Sequence, residues 1–341
     1  MIPAGGVLPD NTLLSPSIEE GVYMSTDISL ARVAEARKVV YQHMRPTPLI
    51  HYPLLSQELG VQAYIKHENH PPIGAFKIRG GINLMAHLVR QKVPGVITAT
   101  RGNHGQSVAL AAHWYDIQAT VVVPEGNNPE KNALMRAQGA QLIEHGKDFD
   151  AARALVEQLQ HERGLYYVHP ANEPLLIIGV GTYWLEVFDD LPDLDVALVP
   201  VGGGSGICAA VTVLKALRPA VRIIGVQAEN APAVYQSWKS RQLCETDSAQ
   251  TFADGLATRV AFKLPFGIMQ QGVDDMVLVS EEEMRQAVVR LLRTTHNVAE
   301  GAGAASVAAA WKLRSALQGQ KVVMVLSGGN IDLATLRWVL G

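Results

Sequence analysis

The sequence predicts an α/β protein in which parallel strands alternate with helices. Five short, predominantly apolar runs are spaced along the 341-residue chain, at residues 95–98, 119–123, 197–201, 223–226 and 321–326. Uninterrupted rather than alternating apolar character favours parallel strands that are covered on both faces. Helical patterns lie between the runs, at residues 106–113, 130–138, 149–162 and 281–294. This alternation is typical of doubly wound sheets, whose ligands bind at the carboxyl ends of the strands.

Composition and charge place the chain among globular proteins and argue against several classes of partner. Apolar residues make up 48% of the chain and charged residues 18%, and the net charge is -3. These values favour neither a nucleic acid nor a membrane surface as a partner. Cys208 and Cys244 are too few for a disulfide framework, and neither they nor the histidines have metal-ligand spacing. We therefore expect reduced thiols and no bound metal. We also expect a cytoplasmic location, since no membrane span or signal peptide is recognisable.

The N-terminal residues differ in character from the rest of the chain. Residues 1–23 mix Gly, Pro, Asn and Ser without periodicity and are predicted to form a flexible arm. Met24 is an alternative start, because a helix cap at residues 25–27 and an apolar helical pattern from Ile28 follow it. The folded part of the chain is therefore expected to begin near Met24.

Lys77 is the first candidate for chemistry. It follows a strand-like run at residues 62–66 and lies between Phe76 and small residues in the segment 74–80. Lysine is the side chain that forms a Schiff base with a carbonyl cofactor and that can afterwards act as a base. The alternative is a surface lysine that opens a basic helix, with Arg79 beside it. Lys77 by itself does not decide between the two.

A second candidate is the glycine-rich segment at residues 202–206. It follows the apolar run at 197–201 and precedes a helical pattern at 207–217. Consecutive glycines allow several backbone N–H groups to point into one concavity, and a helix N-terminus adds positive potential there. The segment is not a P-loop, because no Gly-Lys-Ser/Thr ends it. It is richer in glycine than an ordinary strand–helix turn requires, and we interpret it as a phosphate site.

Three further segments carry polar residues at strand ends or helix starts. The segment 98–106 offers backbone amides and Asn103, which can hold a carboxylate or a ring hydroxyl, or can simply form a turn. Ser327 follows the last strand, where its hydroxyl can face a heteroaromatic nitrogen or cap a helix. Glu300 opens a helix of small residues, where a carboxylate is favourable beside the helix N-terminus.

Taken together, these motifs resemble the fold-type II pyridoxal-phosphate enzymes, and within them the serine/threonine dehydratase group. The resemblance extends from the segment 45–49 (Arg-Pro-Thr-Pro-Leu) to Asp332 and includes Gly-Ala-Phe-Lys-Ile-Arg-Gly at 74–80. It implies a tryptophan synthase β-like α/β fold with two open, twisted, mostly parallel sheets and flanking helices. It also implies pyridoxal 5'-phosphate as the cofactor and a small amino acid as the substrate.

The resemblance implies roles for individual residues. Lys77 would be the catalytic residue and would carry the cofactor as a Schiff base, Asn103 would bond its ring hydroxyl, and Ser327 would face its pyridine nitrogen. The full cofactor-binding set is Lys77, Phe76, Asn103, Gly202, Gly203, Gly204, Ser205, Gly206, Glu300 and Ser327. The substrate-binding set is Thr100, Arg101, Asn103, His104 and Gly255.

The activity implied by the resemblance is that of an ammonia-lyase (dehydratase). Such an enzyme converts L-threonine, L-serine or a related β-hydroxy amino acid to a 2-keto acid and ammonia by β-elimination. A neutral Ser327 at the ring nitrogen suits elimination, because it leaves the pyridine largely unprotonated. The chain ends soon after Ser327, so we expect a catabolic enzyme without a regulatory domain.

Arg101 departs from the racemase branch of the family, which has a serine base at this position. An arginine of normal pKa is a poor base, so racemisation is expected to be weak. Arg101 either points to solvent or holds a second carboxylate of the substrate, as in a 3-hydroxyaspartate dehydratase. The cation site of racemase-like enzymes is not expected, because Gln227 and Ala233 stand where carboxylates are needed.

Other functions stay open on the sequence alone. An amino-acid racemase and a β-replacement enzyme similar to threonine synthase would use the same cofactor with a different outcome. A non-catalytic phosphate- or nucleotide-binding protein could use the same scaffold, although such a protein has no need of Lys77.

Two domains and a homo-oligomer complete the expectations. Residues 24–88 and 173–341 would form a large cofactor-binding domain, and residues 89–172 a small domain that carries Asn103. The cofactor would lie in the cleft between them, and closure of the small domain would exclude water. The resemblance suggests a homodimer or homotetramer.

Overall fold

The computed structural model describes residues 27–341, and the strands in this region form two sheets. The arm predicted for residues 1–23 and the alternative start at Met24 lie outside the described residues. The ten strands of the described region are β1 (Leu49–His51), β2 (Gln62–His67), β3 (Val96–Ala99), β4 (Ala119–Val123), β5 (Gln141–Glu144), β6 (Tyr166–Tyr167), β7 (Val196–Pro200), β8 (Arg222–Ala228), β9 (Asp275–Val279) and β10 (Lys321–Leu326).

Both sheets are flanked by helices. The α-helices of the described region are α1 (Leu30–Val40), α2 (Pro53–Leu59), α3 (Lys77–Gln91), α4 (Asn103–Trp114), α5 (Pro129–Ala137), α6 (Phe149–Arg163), α7 (Pro174–Val180), α8 (Thr182–Asp190), α9 (Ser205–Leu217), α10 (Ala233–Ser240), α11 (Lys263–Gly272), α12 (Glu281–Thr295), α13 (Gly301–Leu313) and α14 (Leu333–Leu340). A short 3-10 helix spans Asp254–Leu256. Between residues 27 and 341, no helix has both the length and the apolar character that a bilayer crossing needs.

The sheets are almost entirely parallel, as the sequence predicts. The larger sheet has six strands in the order β1-β2-β10-β7-β8-β9, and only β1 runs antiparallel to its neighbour. The smaller sheet has four parallel strands in the order β5-β4-β3-β6. The predicted architecture of two mostly parallel sheets is confirmed. The smaller sheet falls inside the segment 89–172, and the division into two domains stays a prediction.

Burial on both faces explains the uninterrupted apolar runs. Every residue of β3 and β4 is buried. Ile97 and Val122 pack with α6, whereas Val96 and Val121 belong to the main core cluster that includes residues of α4. Successive side chains of a strand point to opposite faces, so a strand between two helix layers favours apolar residues on both of its faces.

The first helix begins later than the sequence pattern predicts. It starts at Leu30 with Ser29 as its N-cap, whereas the sequence pattern placed the cap at residues 25–27, of which residues 25 and 26 lie outside the described region. Ser29 has extended backbone dihedrals, and its carbonyl accepts the first helical hydrogen bond, from the amide of Val33 at 3.1 Å. The Ser29 hydroxyl itself donates to the Asp27 carboxylate. Asp27 thus bonds a neighbouring side chain that lies before the helix.

A buried network of four charged side chains joins the first turn of α3 to β2 and α8. Arg79 donates from Nε to Glu68 at 2.8 Å and from Nη1 to Glu186 at 2.6 Å. Lys66 donates to Glu186 at 2.5 Å and to the carbonyl of Thr47 at 2.6 Å. All four charged groups are almost completely buried. Burial acts to raise the pKa of Glu186, but Arg79 and Lys66 outweigh it and lower that pKa to about 2. Because Arg79 is two residues after Lys77, the network holds the start of α3 in place next to Lys77.

We expect Arg79→Met to destabilise the protein strongly, because it leaves Glu68 and Glu186 buried without their shared cation. Breaking a buried pair in this way costs about 3–5 kcal/mol. The matched control is Lys38→Met: Lys38 and its partner Glu35 are 71% and 69% exposed, and such a pair contributes about 1 kcal/mol or less. Calorimetry should show a much larger fall in the unfolding temperature for Arg79→Met. Equally small shifts for both variants would contradict a stabilising role for the network.

Candidate active site

Lys77 is the first residue of α3 and lies where two strand ends meet. The loop that leads from β2 to Lys77 runs beside the residues that follow β10. The amide of Phe76 donates to the carbonyl of Ser327 at 3.2 Å, and the amide of Gly329 donates to the carbonyl of Gly74 at 2.9 Å. These backbone bonds bring Lys77 and Ser327 together, as the family resemblance requires.

The Lys77 amine has the properties of a nucleophile. Its Nζ lies 5.1 Å from the centroid of the Phe76 ring, and it has no hydrogen-bond or ion-pair partner among residues 27–341. Burial lowers the pKa of Lys77 to about 8, although the negative charge of Glu300 opposes this shift. A lysine with this pKa is partly neutral near physiological pH, and the neutral amine is the form that attacks a carbonyl or accepts a proton.

The glycine-rich loop, residues 202–206, connects β7 to the N-terminus of α9. In the described part of the chain, none of the amides of residues 202–207 donates to a protein acceptor. Gly204 has a φ of 101°, a left-handed conformation that side-chain-bearing residues rarely adopt. A row of unpaired amides at the start of a 13-residue helix is a ready anion site, because the helix dipole adds positive potential there.

Two contacts place the glycine-rich loop beside the lysine. A Cβ on Gly206 would lie 3.8 Å from Cζ of Phe76, the residue that precedes Lys77. On the other side of the loop, a Cβ on Gly202 would overlap the carbonyl of Gly255, which lies in the 3-10 helix. The predicted phosphate site, the predicted Schiff-base lysine and Gly255 therefore belong to one site.

The segment between β3 and α4, residues 100–105, forms a compact loop around one hydroxyl. Thr100 Oγ1 accepts hydrogen bonds from the amides of Gly102 at 3.0 Å and Gly105 at 3.3 Å. Thr100 therefore shapes this loop from within. The amides of Asn103 and His104 donate to no acceptor within residues 27–341, so two adjacent donors at a helix N-terminus remain for an anionic group such as a carboxylate.

Asn103 is joined to the larger sheet through Glu300 and Asn330. Its Nδ2 donates to Glu300 Oε1 at 2.7 Å, and its Oδ1 accepts from Asn330 Nδ2 at 2.8 Å. Glu300 is buried at the N-terminus of α13, and burial raises its pKa while Lys131 and Asn103 oppose the rise. These bonds set the orientation of the Asn103 amide and leave its second N–H for a ligand.

His104 is held in the neutral form. Its ring is buried, and Nε2 lies 3.1 Å from the carbonyl of Val168, so this nitrogen carries the hydrogen. Burial, together with the charge of Lys77, lowers the pKa of His104 to about 3. The imidazole is therefore unsuited to carrying a proton, and the backbone amide is the part of His104 that can serve a substrate.

Arg101 is exposed and lines a cavity of about 470 Å³ beside the site. The cavity is also lined by Lys131, Asp254, Glu300 and Asn330. Within residues 27–341, the Arg101 guanidinium has no hydrogen bond or ion pair. Its position is compatible with both alternatives that the sequence leaves open, exposure to solvent and contact with a second substrate carboxylate.

The remaining polar groups of interest are Ser327 and Gln227. The Ser327 side chain is buried at the end of β10 and has no protein hydrogen-bond partner in the described region. Gln227 Oε1 accepts from the amide of Tyr235 at 2.8 Å, so it is engaged in ordering the start of α10. Among residues 27–341, no three His, Cys, Asp or Glu side chains are grouped as metal ligands.

Sequence reasoning assigned no role to Asn330 or Lys131, although both belong to the site. Asn330 stands three residues after Ser327, which follows the last strand. Its side chain donates to Asn103 and also to the carbonyl of Ile73 at 2.8 Å. Lys131 lies in α5 and reaches the cavity from the other sheet. Only its ion pair with Asp254, 123 positions away along the chain, distinguishes Lys131 from an ordinary basic residue in a helix.

Comparisons with known proteins agree with this geometry. The model of a family described as pyridoxal-phosphate dependent enzyme matches residues 40–328. The L-threonine ammonia-lyase of Geobacter sulfurreducens is 41% identical over 309 residues, which cover 90% of this chain and 77% of that protein. The catabolic L-threonine dehydratase of Staphylococcus aureus is 38% identical over 318 residues, which cover 92% of each chain. The solved structure of processed threonine deaminase isoform 2 from Solanum lycopersicum matches with a TM-score of 0.86 at 33% identity, covering 91% of this chain and 92% of that one.

The family match spans the whole of the site described above. Residues 40–328 include Lys77, the segment 100–105, the glycine-rich loop, Glu300 and Ser327. The fold class and the family resemblance that the sequence predicts are confirmed. The chain belongs to the family of pyridoxal-phosphate dependent enzymes.

Proposed function

We propose that this protein is an ammonia-lyase that converts L-threonine, L-serine or a related β-hydroxy amino acid to a 2-keto acid and ammonia. The observation that carries the proposal is the Lys77 amine, which has no protein partner and a lowered pKa in a site with two sets of unpaired amides. The printed activities of the Geobacter and Staphylococcus relatives support the same reaction class.

The described residues fit pyridoxal 5'-phosphate. The amides of residues 202–207 suit a phosphate dianion, and Ser205 at the first position of α9 adds a hydroxyl. Lys77 would hold the aldehyde carbon, Asn103 the ring hydroxyl, and Ser327 the ring nitrogen. Phe76 and Glu300 complete the surroundings, the first through its ring beside Lys77 and the second through its bond to Asn103.

When bound, the cofactor supplies an aldehyde that condenses with amines and a ring that withdraws electrons from the substrate Cα. The unpaired amides of Asn103 and His104 would hold the substrate carboxylate and so orient the Cα–H bond. Lys77 Nζ would accept the Cα proton, a task for which a pKa of about 8 is well placed. The β-hydroxyl leaves as water, and later hydrolysis returns one water, so each substrate gives one keto acid and one ammonia.

Racemisation and β-replacement are the alternatives within the family. Racemisation needs a second base on the opposite face of the substrate, and Arg101 occupies the position of the serine that serves the racemase branch. The guanidinium stays protonated at physiological pH and therefore cannot accept the proton. An arginine at this position therefore favours elimination over racemisation.

One observation favours a second substrate for the same reaction. Arg101 has no protein partner in the described region and lines the cavity beside Glu300 and Asn330. A guanidinium in this position suits a substrate with a distal carboxylate, because arginine binds carboxylates in a bidentate manner. L-threo-3-hydroxyaspartate is the β-hydroxy amino acid with such a group.

The proposal includes the organisation of the protein. The large domain would comprise residues 24–88 and 173–341 and the small domain residues 89–172, with each sheet at the centre of one domain.

Cys208 and Cys244 are free thiols, which supports a cytoplasmic location. The family resemblance also supports assembly as a homodimer or homotetramer. Light scattering measures the molar mass of the assembly directly.

We expect Gly204→Ala to weaken cofactor binding tenfold or more, because a Cβ at this position would lie 2.6 Å from Cβ of Pro265. The strain of a left-handed alanine, about 1–2 kcal/mol, is shared by the control Gly319→Ala. Gly319 also has a positive φ, 73°, but its Cβ would meet nothing within 4 Å. Absorbance titration of the cofactor-free variants measures the affinity. Equal affinities for both variants would contradict a phosphate site at this loop.

We expect the holoenzyme to release 2-oxobutanoate from L-threonine or pyruvate from L-serine, and Lys77→Ala to abolish this release. The assay measures keto acid from L-threonine, L-serine and L-threo-3-hydroxyaspartate, with Arg101→Ala as a comparison. A preference for hydroxyaspartate that Arg101→Ala removes would assign Arg101 to the distal carboxylate.

Two results would contradict the proposal. Turnover that persists in Lys77→Ala would exclude Lys77 as the base. Bound cofactor without keto acid from any of the three substrates would leave the cofactor assignment intact and overturn the reaction class. Chiral chromatography of the recovered amino acid would then measure racemisation.

A further inference from the structure

One ion pair between a buried lysine and a partly exposed aspartate crosses between the two sheets at the edge of the site. Lys131 Nζ pairs with Asp254 Oδ2. Lys131 lies in the first turn of α5, which follows β4 of the smaller sheet, and Asp254 begins the 3-10 helix between α10 and α11 on the larger sheet. The Lys131 side chain is only 8% exposed, whereas that of Asp254 is 41% exposed. A lysine buried to this extent pays a desolvation cost that the carboxylate offsets.

Lys131 and the residue after Asp254 each contact one of the two loops that offer unpaired amides. On one side, the Lys131 stem packs on the segment 100–105, since a Cβ on Gly102 would lie 3.2 Å from Lys131 Cδ. On the other side, the residue after Asp254 packs on the glycine-rich loop, since the Gly255 carbonyl occupies the space where a Gly202 Cβ would be. The ion pair is therefore the polar link in a continuous chain of contacts between the two loops.

The same lysine also lies near the carboxylate that holds Asn103. Lys131, Asp254 and Glu300 line one cavity. The charge of Lys131 acts to lower the pKa of Glu300, and the charge of Asp254 acts to raise it. The positive charge of Lys131 thus offsets the negative charges of Asp254 and Glu300. Glu300 in turn accepts a hydrogen bond from the side-chain amide of Asn103.

We infer that Lys131 is a positioning residue, which through Asp254 holds the substrate-binding loop, residues 100–105, in register with the glycine-rich loop, residues 202–206. The roles of the two loops rest on the proposed function. Lys131 does not take part in bond making. It fixes the spacing between the amides that receive the substrate carboxylate and those that receive the phosphate, and it thereby sets where the substrate Cα lies relative to Lys77.

A second ion pair between the sheets provides a matched control. Arg259 pairs with Asp150, which lies in the first turn of α6. Both side chains are about half exposed, at 50% and 43%, and within residues 27–341 no hydrogen bond or ion pair joins either residue to the two loops. If any link between the sheets were sufficient, loss of the Arg259–Asp150 pair would have the same effect as loss of the Lys131–Asp254 pair.

The test compares holoenzyme variants in two readouts that do not depend on each other. The variants are Lys131→Met, Lys131→Arg, Asp254→Asn, the double variant of Lys131→Met with Asp254→Asn, and the control Arg259→Gln. The first readout is kcat and KM for L-threonine. The second is the visible circular dichroism of the bound cofactor, which reports the asymmetry of its surroundings and needs no substrate.

For Lys131→Met we expect a rise in KM of tenfold or more and a reduced cofactor dichroism. Lys131→Arg should retain most of both signals, because it keeps the charge. The double variant should be no worse than the worse single variant, since each change breaks the same link. Arg259→Gln should stay within about twofold of wild type in both readouts, as expected for an exposed pair.

Two results would overturn the inference. The first is a Lys131→Met protein with unchanged KM and dichroism, even if its unfolding temperature falls, because the residue would then be structural only. The second is an equal effect of Lys131→Met and Arg259→Gln. Should Lys131→Met fail to fold, Asp254→Asn gives the same comparison, since it removes the charge from the more exposed partner. A wild-type enzyme without keto-acid release would contradict the proposed function alone, and the dichroism would still decide the role of Lys131.

Discussion

The hydrogen bond between the buried carboxylate of Glu300 and the side-chain amide of Asn103 is the interaction on which the geometry of the site depends. Glu300 accepts the Asn103 amide from the smaller sheet, and a Cβ on Gly328 would lie 2.5 Å from its Oε1, so it also rests on the backbone after β10. The charges of Lys131 and Lys77 both act to lower its pKa, against the effect of burial. A buried carboxylate requires partners of this kind, because an isolated charge is costly in a low-dielectric interior. Residues from both sheets are thus brought together around one acidic group.

The small residues of α13 make this arrangement possible. Residues 301–310 are all buried, and a Cβ on Gly303 would overlap the carbonyl of Gly328. The helix can therefore approach the end of β10 closely enough to present Glu300 at its N-terminus. The charged network around Arg79 anchors the other side, since it fixes the first turn of α3 and with it Lys77. Apolar packing positions the strands, whereas these polar contacts position the candidate catalytic and binding residues.

Strands and candidate site residues that depend on local pattern could be predicted from the sequence. The strands at 119–123 and 321–326 have the predicted bounds, because buried parallel strands require uninterrupted apolar runs. The glycine-rich loop and Lys77 could be singled out because the proposed phosphate site and the proposed Schiff-base lysine need particular residue types in a fixed local order.

Contacts between distant residues left no comparable signal in the sequence. Lys131 and Asp254 are 123 positions apart, and Asn330 reaches Asn103 across 227 positions. Each of these residues stands in an ordinary helix start or turn, and only the folded chain shows what it contacts. The start of the first helix was misplaced for a related reason, because several polar residues in a row can serve as a cap and the pattern does not select among them.

The most direct test of this account is to locate the covalent bond between the protein and its cofactor. Borohydride reduction of the holoenzyme converts a Schiff base to a stable secondary amine, and peptide mass spectrometry then identifies the labelled lysine. The account predicts a single pyridoxyl-phosphate label, on Lys77. A label on Lys131, which also lines the cavity beside the site, or on any other lysine would contradict the assignment of the catalytic amine.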